Sequence, residues 1–312
     1  TTDPQPVEEV LSMIYATIFF DGREQICCID GVGSRVFLLE EFLLGEFDCE
    51  KMPATMMQFI DSYKPDWTDK IALFYGRRPE QAIPLSQVKL LAPIPSPSRN
   101  IICLGKNYLS HAEELKGQMF SDQPPTYPIY FTKPDHSVIG QGDAVLLHSN
   151  ITSKVDYEVE LAVIIGKKGI NIPKEKAEEH IFGYTIANDI SARDLQHDHT
   201  QWYKGKSLVS HCPIGPWIVH KSVLPMPLSL NLKCYVNGEL RQHANTDELI
   251  FDIPYIISDL SRGYELRPGD IIMTGTPAGV GMGFNPPKYL KAGDLVLCEI
   301  EKIGALSNPV SD

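Results

Sequence analysis

The chain has 312 residues, 43% hydrophobic and 22% charged, an ordinary globular composition that excludes a mainly disordered chain, a collagen-like repeat and a coiled coil. Twenty-eight basic against forty acidic residues leave a formal charge of -12. With no Lys/Arg-rich block to offset it, neither nucleic acid nor an anionic membrane is an expected partner.

No apolar run approaches the roughly 20 residues that span a bilayer, and the acidic, proline-bearing residues 1–10 resemble neither a secretory signal nor an Arg-rich transit peptide. Residues 14–20, then Asp21-Gly22, then 25–30 predict two strands joined by a tight turn, since D-G suits the type I′ geometry of hairpins. Amphipathic helices are predicted over 36–47 and 55–63, and a strand near 88–91. The segment Pro93-Ile94-Pro95-Ser96-Pro97 carries three prolines in five positions and reads as a stiff connector. The expected division is a small α/β N-terminal domain, 1–92, and a larger domain, 93–312. Beyond the connector, short β-rich runs are broken by turns such as Asn237-Gly238 and Pro268-Gly269. Helices are predicted only around 110–115, 174–181, 192–197 and 253–261, the last ending at Gly263. Strands that do not alternate regularly with helices argue for a mixed, β-rich α+β fold rather than a doubly wound sheet. The seven cysteines include no C-x-x-C, which suits buried thiols in a reducing compartment, so a cytoplasmic location is expected.

The most informative stretch is Val155-Asp156-Tyr157-Glu158-Val159-Glu160-Leu161-Ala162-Val163-Ile164-Ile165-Gly166. Odd positions are apolar, and the even face carries Asp156, Glu158 and Glu160 before turning apolar at Ala162 and Ile164; period 2 predicts a strand. Glu158 and Glu160 then share a face with Cα atoms about 7 Å apart. A solvated strand face is one reading. The other is that the strand runs into a core, where paired carboxylates repel and lose hydration unless a cation sits between them. Asp189, in Asn188-Asp189-Ile190-Ser191, ends a short apolar run and is either a helix N-cap or a third oxygen ligand. A Glu/Glu/Asp set is hard and all-oxygen, suited to Mg²⁺ or Mn²⁺ and poor for zinc or copper.

Four motifs in order, D-Y-E-V-E-L, N-D-I-S-A-R-D-L-Q, G-K-S-x-x-x-x-C-P-I-G-P and I-M-T-G-T-P-x-G-V-G, resemble the fumarylacetoacetate hydrolase family from about Pro93 to the C-terminus. The N-terminal part is similar to that of the longer bacterial members, with less to hold on to. The resemblance implies a mixed β-sandwich roll, usually a homodimer, with Glu158, Glu160 and Asp189 as metal carboxylates. It implies that Lys206 reaches the metal shell and substrate oxygens, that Arg193 and Gln196 line the substrate pocket, and that Thr276 receives the substrate carboxylate. Lys133, in Phe131-Thr132-Lys133-Pro134, is either a pocket residue or a solvated lysine. The stretch Asn107-Tyr108-Leu109-Ser110-His111-Ala112-Glu113-Glu114 matches the N-Y-x-x-H-x-x-E pattern of members that hydrolyse acylpyruvates or decarboxylate oxaloacetate. His111 and Glu114, at i and i+3, can hydrogen-bond on a helix, giving a carboxylate-oriented general base; a lone pair of this kind is otherwise a surface contact. The proline-bearing residues 121–128 are the expected hinge of a lid.

Three other patterns carry less. His197-Asp198-His199 on a helix points its rings about 200° apart, given 3.6 residues per turn. His211-Cys212 are adjacent and seldom face each other productively. Gly275, Gly279, Gly281 and Gly283 are interrupted by Pro277, with Asn285-Pro286-Pro287 where a phosphate-binding helix would start, which fails the context of a dinucleotide loop. The expected function is metal-dependent C–C cleavage of a short 2,4-dioxo or 2-oxo diacid through an enolate, either acylpyruvate hydrolysis or oxaloacetate decarboxylation. The alternatives are an isomerase or tautomerase of 2-hydroxy-unsaturated dioic acids, which needs no activated water, and a non-catalytic binding or regulatory protein on the same fold.

Overall fold

A computed structural model describes residues 13–31, 33–48, 52–114 and 125–312. The expected hairpin forms from strands Ile14–Phe20 and Arg23–Ile29. Asp21 and Gly22 take φ of 51° and 76°, the left-handed pair that a type I′ turn requires. Residues 36–47 split into a strand Arg35–Leu38 and a helix Glu40–Glu46. The apolar run Val36-Phe37-Leu38 satisfies either period, and backbone pairing with residues 27–29 of the neighbouring strand decides for the sheet. The helix Met56–Ser62 starts at a capping box between Thr55 and Gln58. The helix Trp67–Gly76 was not predicted, although its buried Trp67, Ile71 and Tyr75 recur at i, i+4, i+8.

The fold is α+β: two sheets form a sandwich, with helices on the outer face of the larger one. The large sheet runs, edge to edge, Ile83–Pro84, Arg35–Leu38, Arg23–Ile29, Ile14–Phe20, Cys212–His220, Ile181–Asn188, Val159–Ile165, Ile271–Met273, Ile101–Gly105, Ile129–Lys133. All neighbours on this path are antiparallel except Ile271–Met273 with Ile101–Gly105. The smaller sheet orders Glu239–Asn245, Asn231–Val236, Leu295–Ile300, Gly304–Ser311 and Val145–Leu146. No sheet boundary falls at the expected 92/93 division: Ile14 and Tyr15 pair with Val219 and Ile218, so the N-terminal strands extend the large sheet. Among the described residues no helix is long and apolar enough to cross a membrane.

The central strand explains the sequence pattern that singled it out. Val159, Leu161, Val163 and Ile165 enter the core between the sheets. Ala162 and Ile164 enter a second core beneath the N-terminal helices, with Phe59, Trp67 and Ile214. Both faces are dry, so the even-numbered acids ahead of Ala162 lie at the rim of an interior.

Candidate active site

The acidic stretch is two strands rather than one, Val155–Asp156 and Val159–Ile165. The ladder breaks at Tyr157-Glu158 because side chains take over its hydrogen bonds. The N–H of Glu158 donates to Asn188 Oδ1 (2.9 Å) and that of Val159 to Gln242 Oε1 (3.0 Å). Asp189 follows the neighbouring strand Ile181–Asn188 and donates its N–H to Glu158 O (2.9 Å). These connections bring Glu158, Glu160 and Asp189 to one point: a carboxylate oxygen from each lies within 4.8 Å of the others, all three residues buried. Asp189 caps no helix, since the helix Arg193–Asp198 begins after Ala192 with no side-chain cap. The solvated-face and N-cap readings therefore both give way to convergence.

Cations surround the cluster unevenly. Lys206 Nζ donates to Glu158 Oε2 (2.8 Å) and Asp189 Oδ2 (2.5 Å). Lys133 Nζ donates to Asp189 Oδ1 (2.6 Å) and Ile190 O (2.9 Å). Arg193 reaches Glu158 Oε1 through Nη1 (2.6 Å) and Asp156 Oδ2 through Nε (2.9 Å). Glu160 has no ion pair among the described residues; it accepts the Gly275 N–H at 2.7 Å. Burial raises the Glu158 carboxyl, but Lys206 and Arg193 outweigh it and hold the group well below the usual carboxylate range. For Glu160, burial, Asp189 and Glu158 all act in the same direction and push it well above that range. One carboxylate therefore lacks a positive partner in a pocket of hard oxygen donors. The three carboxylates form a hard, all-oxygen donor set close enough together to hold a metal ion.

The cleft over the cluster is lined by His111, Lys106, Phe131, Trp202, Gln196 and Thr276, together with Glu158, Glu160, Arg193 and Lys206. His111 and Glu114 share the helix Leu109–Glu114, with Nδ1 and Oε2 3.4 Å apart. Glu114 is held from its other side by the Gly279 N–H (2.9 Å to Oε1). The glycine run set aside in the sequence thus has a different use. Gly275, Gly279 and Gly281 each donate a backbone N–H to a buried or half-buried carboxylate, Glu160, Glu114 and Asp156 respectively. Gly275 and Gly279 do so at φ of 101° and 104°, which a side chain would resist.

Of the expected substrate residues, Thr276 lines the cleft and Lys133 does not. Lys133 is fully buried behind Asp189 and is absent from the cleft lining, because its ammonium is spent on Asp189 and Ile190. The Thr276 hydroxyl donates to Val159 O (2.9 Å) and accepts from Gln242 Nε2 (2.8 Å), so Thr276 faces the cleft with its hydroxyl proton engaged. Gln196 stands 3.1 Å from Arg193 Nη1. Sequence reasoning missed Asp156, Gln242 and Trp202. Asp156 was visible on the acidic face of the stretch, whereas nothing marked Gln242, which arrives from the other sheet. His197 is exposed beside Asp198, and the ring of His199 bonds Leu195 O; neither approaches the cluster. Burial pushes the Cys212 thiol up to about 12 and the neighbouring His211 down to about 3, leaving no thiolate–imidazolium pair. Residues 115 and 121–124, part of the expected lid and hinge, lie outside the described residues.

The profile described as fumarylacetoacetate (FAA) hydrolase C-terminal matches residues 100–311. The oxaloacetate tautomerase YisK of Bacillus subtilis is 54% identical over 226 residues, 72% of this chain and 74% of that protein. Among solved structures, the fumarylacetoacetate hydrolase of Exiguobacterium antarcticum superposes with a TM-score of 0.81 at 37% identity, covering 96% of this chain and 99% of that one. The maleylpyruvate hydrolase of Sphingobium sp. SYK-6, in complex with manganese(II) and pyruvate, superposes at 0.73 with 29% identity over 96% of this chain and 99% of its own.

Proposed function

The chain belongs to the fumarylacetoacetate hydrolase family, and we propose that it is a divalent-metal-dependent enzyme that interconverts the enol and keto forms of a short 2-oxo diacid of the oxaloacetate type. One observation carries this reading: a histidine braced by a carboxylate lines the same cleft as Glu158 and Glu160, two of the three convergent acids, with Asp189 buried beside them. Glu158, Glu160 and Asp189 would hold Mg²⁺ or Mn²⁺, which when bound supplies a Lewis acid for the 2-oxo group and its adjacent carboxylate. His111, with Nδ1 turned to Glu114, exchanges a proton at C3 through its other ring nitrogen, while the hydroxyl proton of the enol passes to or from bulk water. Lys206 balances negative charge on the enol oxygen, and Arg193 grips a carboxylate. Phe131 and Trp202, edge to face at 5.4 Å between centroids, keep water from the reacting carbon. The name of the Bacillus subtilis relative supports proton transfer ahead of the C–C cleavage expected from sequence.

Cleavage remains the second reading, favoured by the manganese- and pyruvate-bound hydrolase neighbour. The same enolate arises when carbon dioxide or an acyl group departs, and His111 would then activate water. Loss of the enol absorbance of oxaloacetate and appearance of pyruvate, followed in parallel with Mn²⁺, Mg²⁺ or EDTA, separate the two. We expect metal-dependent ketonisation without stoichiometric pyruvate, and a 10²- to 10⁴-fold loss, about the worth of a general acid–base, in His111→Ala. Pyruvate as the main product would install the cleavage reading; no acceleration of either reaction would remove both.

A further inference from the structure

We infer that Asp156, a carboxylate outside the metal-type set, is a positioning residue that keeps the substrate-gripping arginine and the His111–Glu114 pair in register; the inference deepens the tautomerase reading and rests on it. Asp156 is fully buried. Its Oδ1 accepts the N–H of Tyr157 (2.9 Å) and Gly281 (2.6 Å), and its Oδ2 accepts Met282 N–H (3.0 Å) and Arg193 Nε (2.9 Å). Four donors use the whole acceptor capacity of a carboxylate.

Two arms leave this hub. In the first, a guanidinium is planar, so fixing two of its nitrogens fixes the third. Nε is held by Asp156, and Nη1 by Glu158 (2.6 Å) and Gln196 (3.1 Å). That leaves Nη2 buried, without a hydrogen-bond partner among the described residues, on a side chain that lines the cleft. A buried donor with no acceptor is costly to the folded chain, and a substrate carboxylate would satisfy it. In the second arm, Asp156 anchors Gly281 and Met282. Two residues earlier, Gly279 donates to Glu114; two residues later, a Cβ on Gly283 would collide with the Glu114 carboxyl group. The segment 279–283 is thus the seat of Glu114, and Asp156 fixes the height of that seat. An asparagine at 156 offers one acceptor oxygen and turns an N–H₂ toward another donor, so one arm must release.

Misplacing reacting groups by about 1 Å costs about 10²-fold, so Asp156→Asn should lower kcat by about that factor and raise KM for oxaloacetate. If the loss travels through Glu114, the same change in a Glu114→Gln background should cost no more than about tenfold further; a second full loss would make the two independent and overturn the inference. Gly281→Ala keeps the carboxylate and its bond to Arg193 but crowds Oδ1, 2.6 Å from the added Cβ, and the Lys288 carbonyl oxygen, 2.4 Å from it, so that the segment 279–283 must shift. It should lower kcat with KM within about twofold, the signature of a contact that matters only in the transition state, and it carries the test if Asp156→Asn does not fold. Unchanged kcat in Gly281→Ala would sever the second arm. For the first arm, L-malate, a 2-hydroxy diacid unable to enolise, should bind the Mn²⁺-loaded Asp156→Asn protein about tenfold more weakly by calorimetry; equal affinity overturns it without reference to turnover. Mn²⁺ binding itself should be unchanged, and its loss would make Asp156 a ligand instead. A wild type that fails to ketonise oxaloacetate defeats the proposed function, and the malate comparison then still decides the first arm by itself.

Discussion

At the scale of single residues, the arrangement turns on Glu160. Lys206 and Arg193 pair with Glu158, and Lys133 and Lys206 with Asp189, while among the described residues Glu160 keeps only a backbone N–H. In Glu160→Gln the amide oxygen can still accept from Gly275, and the repulsion from Asp189 and Glu158 disappears. Thermal unfolding in EDTA at neutral pH should therefore show a Tm equal to or above wild type. Mn²⁺ should raise the Tm of the wild type, adding about 2.7 kcal/mol of stability at one hundred times Kd, and that gain should vanish in this variant. A retained Mn²⁺ shift would remove Glu160 from the ligand set. Lys133→Met makes the opposite prediction. It strips one of two cations from the fully buried Asp189, and breaking a buried pair costs about 3–5 kcal/mol; the urea midpoint should fall accordingly, and a change under about 0.5 kcal/mol, the scale of a surface substitution, would show Lys133 to be dispensable. The residue types were legible in the sequence, but the depth of Lys133 was not. A lysine before a proline reads alike whether it meets solvent, substrate or a carboxylate behind the site.

At the scale of elements, the strand Val159–Ile165 was legible because burial on both faces writes its own pattern, and the hairpin because D-G enforces a geometry. The helix expected over 36–47 failed in its first turn, where an apolar run fits either period and pairing with the neighbouring strand settles which one forms. The strand Cys212–His220 carries a pH signature. His220, at its end, is wedged against Tyr63 and Phe182, with ring centroids 5.2 Å away from each. Its Nδ1 accepts the Ser222 N–H (3.3 Å), which suits a neutral ring. Burial, then Lys221, hold it down to about 4, against about 6.5 in an unfolded chain. Between those values the unfolded chain binds more protons, so stability fully present above about 6.5 is lost as pH falls toward about 4. The loss is on the order of 3 kcal/mol at 1.36 kcal/mol per pH unit. His220→Asn, which preserves an acceptor for Ser222, should flatten the stability profile across that window; an unchanged slope would place the titrating group elsewhere.

At the scale of the whole molecule, the N-terminal strands are part of the sheet that carries the site. Ile14 and Tyr15 pair with Val219 and Ile218, and Tyr15 packs near Phe59 and Phe182 in the core that also receives Ala162 and Ile164. A chain starting at Pro93 would expose the edge of Cys212–His220 and the apolar face beneath the helices, an aggregation hazard. It should be insoluble or fail to unfold cooperatively; a monodisperse, cooperatively folded product would show that 93–312 is an autonomous unit. The sequence alone determined the dry central strand, the acids that interrupt it and the helix pairing His111 with Glu114, because period and spacing are local properties of a chain, and its four ordered motifs carried the resemblance to the family. Only the tertiary structure decided that three acids on and beside neighbouring strands meet, that Lys133 stands behind one of them, that Gln242 reaches across from the second sheet, and that a glycine run seats carboxylates rather than phosphates. Those facts depend on which surfaces face each other after the sheets close, and contacts between residues far apart in the chain leave no period in the sequence to be read.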